Sequence, residues 1–151
     1  MRTVVQRVSH ASVTIDGKQK SSIGNGLLVL LGIGEDDTQE DIDYLVKKLV
    51  NMRIFDDSEG VMNLSVQDVG GDIMVISQFT LMASTRKGNR PSYIRAARHD
   101  ISIPLYHDFI RTTEAVSGKK IATGEFGADM KVDLLNNGPV TIIMDSKQKE
   151  I

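Results

Sequence analysis

Three polar side chains sit together at the end of an apolar run. Ser77, Gln78 and Thr80 follow Ile73-Met74-Val75-Ile76 in the stretch DIMVISQFTL. Two hydroxyls and an amide carried by the end of a core strand stand on a rigid support, where binding and catalytic groups work best. Continued as a strand, the stretch would put Gln78 and Thr80 on one face, and Ser77 and Phe79 on the other. A second group is cationic: Arg86, Lys87, Arg90, Arg95 and Arg98 follow in RKGNRPSYIRAAR with no acid among them. Guanidinium forks of this kind grip phosphate oxygens in pairs. A third is Gly138-Pro139, close to Thr141. A glycine there leaves backbone carbonyls bare, free to accept hydrogen bonds from an ammonium with no Cβ in the way. Each group also has a plainer reading: a strand end, a solvated basic loop and an ordinary turn.

What the chain lacks narrows the chemistry. It has no Cys, which removes disulfides, thiolate zinc sites and thiol nucleophiles together and fits a reducing compartment. His10, His99 and His107 form no HExxH pair, and no carboxylate cluster has metal spacing, so no metal is expected. Gly32-Ile33-Gly34 follows a strand but lacks the third glycine of a dinucleotide loop. There is no Walker loop and no GxSxG elbow, so no cofactor is expected either. The net charge is -2, so a nucleic acid would have to be met by the local patch at 86–98. No apolar run reaches membrane length, and the start MRTVVQRVSH has no apolar signal core.

The elements that must hold these groups follow from periodicity. With 151 residues, 40% hydrophobic and 25% charged, a single globular domain over 1–151 is expected. Val4, Val5 and Val8, then Ala11, Val13 and Ile15, read as two strands around Ser9-His10. Asp16-Gly17 is a hairpin turn, Lys18 to Ile23 pairs back, and Gly24-Asn25-Gly26 is a second turn. Leu27 to Ile33 is apolar throughout and reads as a central strand covered on both faces. These strands make an antiparallel meander. Thr38 caps a helix whose buried stripe is Ile42, Leu45, Val46, Leu49 and Val50. Ser102 caps a second helix, with Pro104 in its first turn and Tyr106, Phe109, Ile110 and Thr113 facing inward. Met130, Val132 and Leu134 alternate as a strand, Asn136 to Pro139 is a turn, and Val140 to Met144 is the last strand.

At this point the motifs join. SQFTL at 77–81, RKGNRPS at 86–92, FGADM at 126–130 and NGPVT at 137–141, with QRV at 6–8, together resemble the D-aminoacyl-tRNA deacylases. The resemblance spans essentially the whole chain, and four motifs in the right order make it specific. It implies an α+β fold with a mostly antiparallel, curved barrel-like sheet and two main helices. It also implies a cytoplasmic homodimer that hydrolyses the ester of D-aminoacyl-tRNA, and of mischarged glycyl-tRNA, without membrane or cofactor. In that family a cis Gly-Pro peptide crosses into the partner's pocket. Carried over, Gly138 and Pro139 of one subunit would meet Ser77, Gln78, Phe79 and Thr80 of the other and exclude an L side chain. Arg7 would brace the Gly-Pro loop, and Phe126 and Met130 would line the adenosine or aminoacyl pocket. Arg86, Lys87 and Arg90 would hold tRNA phosphates. The residues themselves leave two other readings open: a non-catalytic RNA-binding module using the Arg86–Arg98 patch, and a Thr-dependent esterase of small molecules.

Overall fold

The computed structural model describes residues 1–151. In chain order the elements are β1 (Arg2–Ile15), β2 (Lys18–Ile23), β3 (Gly26–Gly32), α1 (Gln39–Asn51), β4 (Phe55–Asp56), β5 (Met62–Leu64) and β6 (Asp72–Ser77). A 3₁₀ turn (Phe79–Met82), α2 (His99–Ser117), β7 (Ala122–Thr123) and β8 (Lys131–Asp145) follow. The class is α+β. One sheet runs β2-β1-β3-β6-β7, with β8 added to β1, and β4 pairs β5 apart from it. The Ser21 hydroxyl donates to the Thr123 carbonyl at 2.7 Å, tying β2 to β7 so that the sheet nearly closes into a barrel. No helix is long and apolar enough to cross a membrane.

The sheet is mixed, which corrects the mostly antiparallel expectation. β3–β6 and β6–β7 are parallel. Each return is made by a crossover containing a helix, α1 in the first and α2 in the second, the kind of connection parallel pairing needs. The meander is also corrected. β2 pairs with Ala11–Ile15 of β1 and β3 with Arg2–Val8, so both lie in line along one strand. Gly24-Asn25-Gly26 therefore does not reverse the chain. Gly26 serves the close β3–β6 approach instead: a Cβ on it would run into the Asp72 carbonyl.

β1 is one strand, not two. Its other edge is covered from Arg2 to Thr14 by β8, which is also continuous where two strands and a turn were expected. Gln6 pairs with Thr141 and Val8 with Asn136, so residues 137–140 bulge out opposite Arg7 without breaking the strand direction.

α1 follows its local signals. The Thr38 N–H donates to Asp41 Oδ2 at 2.8 Å, and Ile42, Leu45, Val46, Leu49 and Val50 are all buried. α2 starts earlier than expected. Arg98 occupies the cap position, and Ser102 lies inside the helix with its hydroxyl donating to the Arg98 carbonyl at 3.0 Å. The left-handed Gly118 ends it.

Two apolar clusters hold the sheet. One packs Leu27, Val29, Ile73 and Val75 against α1 and α2; the other puts Val8, Val13, Leu28, Met74 and Ile76 inside the barrel. β3 and β6 are thus buried on both faces. The chain start is fixed as well: the Met1 ammonium donates to Asp37 Oδ1 at 2.5 Å and to Ser146 Oγ at 2.9 Å.

Candidate active site

The parallel strands β3 and β6 run side by side and end together, and the space beyond their C-terminal ends is where α/β sheets place ligands. Here it is a cavity of about 530 Å³, in the usual range for a small-molecule site. Leu31, Ile33, Ile76 and Ser77 come from the strand ends. Gln78 and Phe79 come from the connection after β6, and Phe126, Met130 and Val132 close the far side.

After Ser77 the chain does not continue as a strand. Gln78 turns away from it, and Phe79–Met82 form the 3₁₀ turn, so the expected two-residue alternation of side chains stops at Ser77. The Gln78 N–H still donates to the Leu31 carbonyl at 2.8 Å, extending the ladder by one bond. Gly32 makes the turn possible: a Cβ there would come within 2.9 Å of Leu81 Cβ. The turn bonds inside itself from Leu81 N–H onward, to the Gln78 carbonyl at 3.2 Å. The opening N–H groups of Phe79 and Thr80 have no carbonyl within the turn to reach.

The Gln78 side-chain amide donates to Thr80 Oγ1. That is the only side-chain hydrogen bond of the Thr80 hydroxyl, and Thr80 is not part of the cavity wall. Phe126 makes edge-on contact with His99, ring centroids 5.6 Å apart, and also packs on Tyr106 at 5.7 Å. The Tyr106 hydroxyl donates to the Val75 carbonyl at 2.9 Å, bolting α2 to β6 beneath the cavity. Burial pushes its phenol up to about 12, so it remains a neutral donor.

Ser77, Gln78, Phe79, Phe126 and Met130 therefore meet in one cavity, whereas Arg7, Gly138 and Pro139 do not line it. They form a second group on the β1–β8 bulge. The Gly138–Pro139 peptide is cis, both residues are exposed, and Gly138 has φ 145, a conformation that L side chains rarely adopt. Arg7 is buried beneath them. Its Nε donates to the Asn137 carbonyl at 2.8 Å and its Nη1 to the Ile54 carbonyl at 2.7 Å. The Val140 N–H is held by Asn136 Oδ1 at 2.9 Å.

Arg86, Lys87 and Arg90 are exposed on a loop whose neck is closed by Ser84 and Ser92, which exchange backbone hydrogen bonds at 2.8 and 2.9 Å. Sequence reasoning missed Ala96, Ala97, His99 and Ser102, which line the cavity at the entrance of α2. No local motif marks them. They arrive because the Ala97 N–H donates to the Ile33 carbonyl at 2.9 Å and pulls the segment onto the end of β3.

Comparison with known proteins gives a consistent picture. The profile of the family described as D-Tyr-tRNA(Tyr) deacylase matches residues 4–145. A protein of Bacteroides thetaiotaomicron named D-aminoacyl-tRNA deacylase is 67% identical over 150 residues, covering 99% of this chain and 100% of that one. One of the same name from Flavobacterium johnsoniae is 63% identical over the same shares. A solved structure of a c-Myc DNA unwinding element binding protein superposes with a TM-score of 0.91 at 41% identity, over 96% of this chain and 98% of its own. A probable eukaryotic D-amino acid tRNA deacylase superposes at 0.82 with 18% identity, over 95% of this chain and 97% of its own, and shares the fold.

Proposed function

This chain belongs to the D-Tyr-tRNA(Tyr) deacylase family, and from that premise we propose that it is an aminoacyl ester hydrolase releasing D-amino acids from tRNA in the cytoplasm. The observation that carries the reading is the cavity at the shared ends of β3 and β6, where Ser77, Gln78 and Phe79 face Phe126 and Met130. It has room for a terminal nucleoside and its acyl group, and the cationic loop of Arg86, Lys87 and Arg90 follows directly in the chain. Relatives more than 60% identical over nearly the whole chain are named for this activity.

In this reading the reaction is attack on an already activated ester. Water attacks the carbonyl carbon, with its proton taken up by the neighbouring ribose hydroxyl or by a second water. The tetrahedral oxyanion is met by the opening N–H groups of Phe79 and Thr80, and the tRNA oxygen leaves with a proton. Thr80, tied to the Gln78 amide, positions the substrate rather than attacking it.

Selection against L-amino acids is assigned to Gly138 and Pro139. Their carbonyls bind the substrate amine and crowd the side on which an L side chain would project, while glycine escapes, so glycyl-tRNA is a substrate too. Exclusion suits a site facing many different D side chains, since one clash rejects every L form. The pair stands exposed on the bulge, outside its own chain's cavity wall, with Arg7 supporting Asn137 from below. A group placed there serves a cavity in trans, which supports a homodimer in which each bulge enters the partner's site.

A second reading, nucleic-acid binding without hydrolysis, draws on the 41% identity to a DNA unwinding element binding protein and on the same basic loop. One experiment separates them: hydrolysis of D-Tyr, L-Tyr and Gly esters of one tRNA, with and without Gly138→Ala. Loss of the D and Gly esters with the L ester spared supports the deacylase. A Cβ at Gly138 would lie 2.7 Å from Val140 Cγ2 and 3.1 Å from Arg7 Nη2, at a φ that resists a side chain. The variant should therefore lose roughly 10- to 100-fold in D-ester kcat/KM or lose the D/L ratio. Binding of tRNA without hydrolysis of any ester would leave the binding module.

A further inference from the structure

An aromatic pair stands at the rim of the cavity, and one of its two rings, Tyr93, has no part in the scheme above. The rings of Phe79 and Tyr93 meet edge to face, centroids 5.0 Å apart and planes at 71°. Phe79 is 56% exposed, Tyr93 40% and the neighbouring Ile94 84%. A lone exposed apolar side chain says little. Here, though, two rings are in contact, Ile94 follows in the chain, and Phe79 also lines the cavity.

Two further features give the pair a direction. Arg86, Lys87, Arg90 and Arg95 lie in the same segment, and none of them is in an ion pair. The backbone of Tyr93 is also pinned on both sides. Ser92 is bonded to Ser84 at the loop neck, the Ala96 N–H donates to the Tyr93 carbonyl at 2.9 Å, and Ala97 is bonded to β3. A fixed ring in a segment of free cations, in contact with a wall residue of a nucleoside-sized cavity, has the two parts of a single-strand binding groove: a stacking face and phosphate partners. In an edge-to-face pair at least one ring keeps a face free for a base. A protein partner would have to bring several carboxylates to the same spot to satisfy those cations.

We propose that Tyr93, braced by Phe79, is a stacking platform for the unpaired base preceding the terminal adenosine of the RNA substrate, with Arg90 and Arg95 beside its phosphates. The assignment rests on the deacylase reading for the identity of the strand. It adds a grip that acts on the nucleotide chain and not on the amino acid, so one site accepts many acyl groups while demanding an unpaired 3′ end.

The test is binding of a 5′-labelled tetraribonucleotide, ACCA, compared with adenosine monophosphate, for the unchanged protein, Tyr93→Phe and Tyr93→Ala. The tetranucleotide-to-monophosphate affinity ratio is expected to fall roughly 5- to 100-fold in Tyr93→Ala and to be retained in Tyr93→Phe, since only the ring is needed. An unchanged ratio in Tyr93→Ala, or an equal loss in Tyr93→Phe, overturns the platform. The ligands carry no ester, so the outcome is independent of catalysis. A Tyr93-dependent ratio in a protein that hydrolyses no aminoacyl ester upholds the platform while rejecting the deacylase.

Discussion

The Thr80 hydroxyl takes its hydrogen bond from the Gln78 amide, a neutral group that cannot accept a proton. A hydroxyl becomes a good nucleophile only when a base sits beside it, and here none does. Thr80→Ala should therefore remove one positioning contact, about 1–2 kcal/mol, and lower single-turnover kcat by roughly tenfold. Complete loss of turnover with tRNA affinity intact would make Thr80 the attacking group after all. At this scale much of the cavity was legible. Ser77 and Gln78 stand out as polar residues at the end of an apolar strand with Phe79 beside them, Phe126 and Met130 followed from the family resemblance, and all five meet in one cavity. His99 and Ser102 were not legible, because what brings them in is a backbone hydrogen bond from Ala97 to Ile33, and alanine carries no signal.

The helices were readable from local rules and the strands only in part. α1 announces itself by a cap and a stripe, both set within a few residues of one another. β1 and β8 do not, because what makes each continuous is its pairing with the other, more than a hundred residues away. The parallel pairing of β3 with β6 was hidden for the same reason. The α1 cap also makes a prediction. Burial pushes the Asp41 carboxyl up, but hydrogen bonds from Ser146, the Thr38 N–H and Lys147 outweigh it and hold the group down to about 2, against an ordinary 3.8. A carboxyl depressed on folding stabilises the protein above its unfolded value, and that contribution is lost as pH falls from about 4 toward 2. The unfolding free energy from urea titrations should drop across that window, by about 1 kcal/mol after solvent screening, and Asp41→Asn should flatten the drop while lowering stability at neutral pH.

Taken whole, the molecule carries a net charge of -2 yet concentrates unpaired cations on the loop that follows the cavity strand in the chain. Attraction to a polyanion must then come from that loop and not from the overall field. Replacing Arg86, Lys87 and Arg90 together by Ala should weaken tRNA binding and reduce the slope of log affinity against log salt by about 2–3, with hydrolysis of an adenosine ester far less affected. An unchanged slope would put the phosphate contacts elsewhere. The fold has one further consequence. β1, the first strand made, is covered along one whole edge by β8, the last, from the Arg2–Asp145 pair to the Thr14–Lys131 pair. During synthesis that edge emerges early and waits, its N–H and C=O groups unpaired, for a partner still to be translated. The nascent chain can build α1 and the β3–β6 ladder before β8 is made, but the barrel wall at β1 is completed only once β8 has emerged, and until then the open edge is the place where a wrong strand could add.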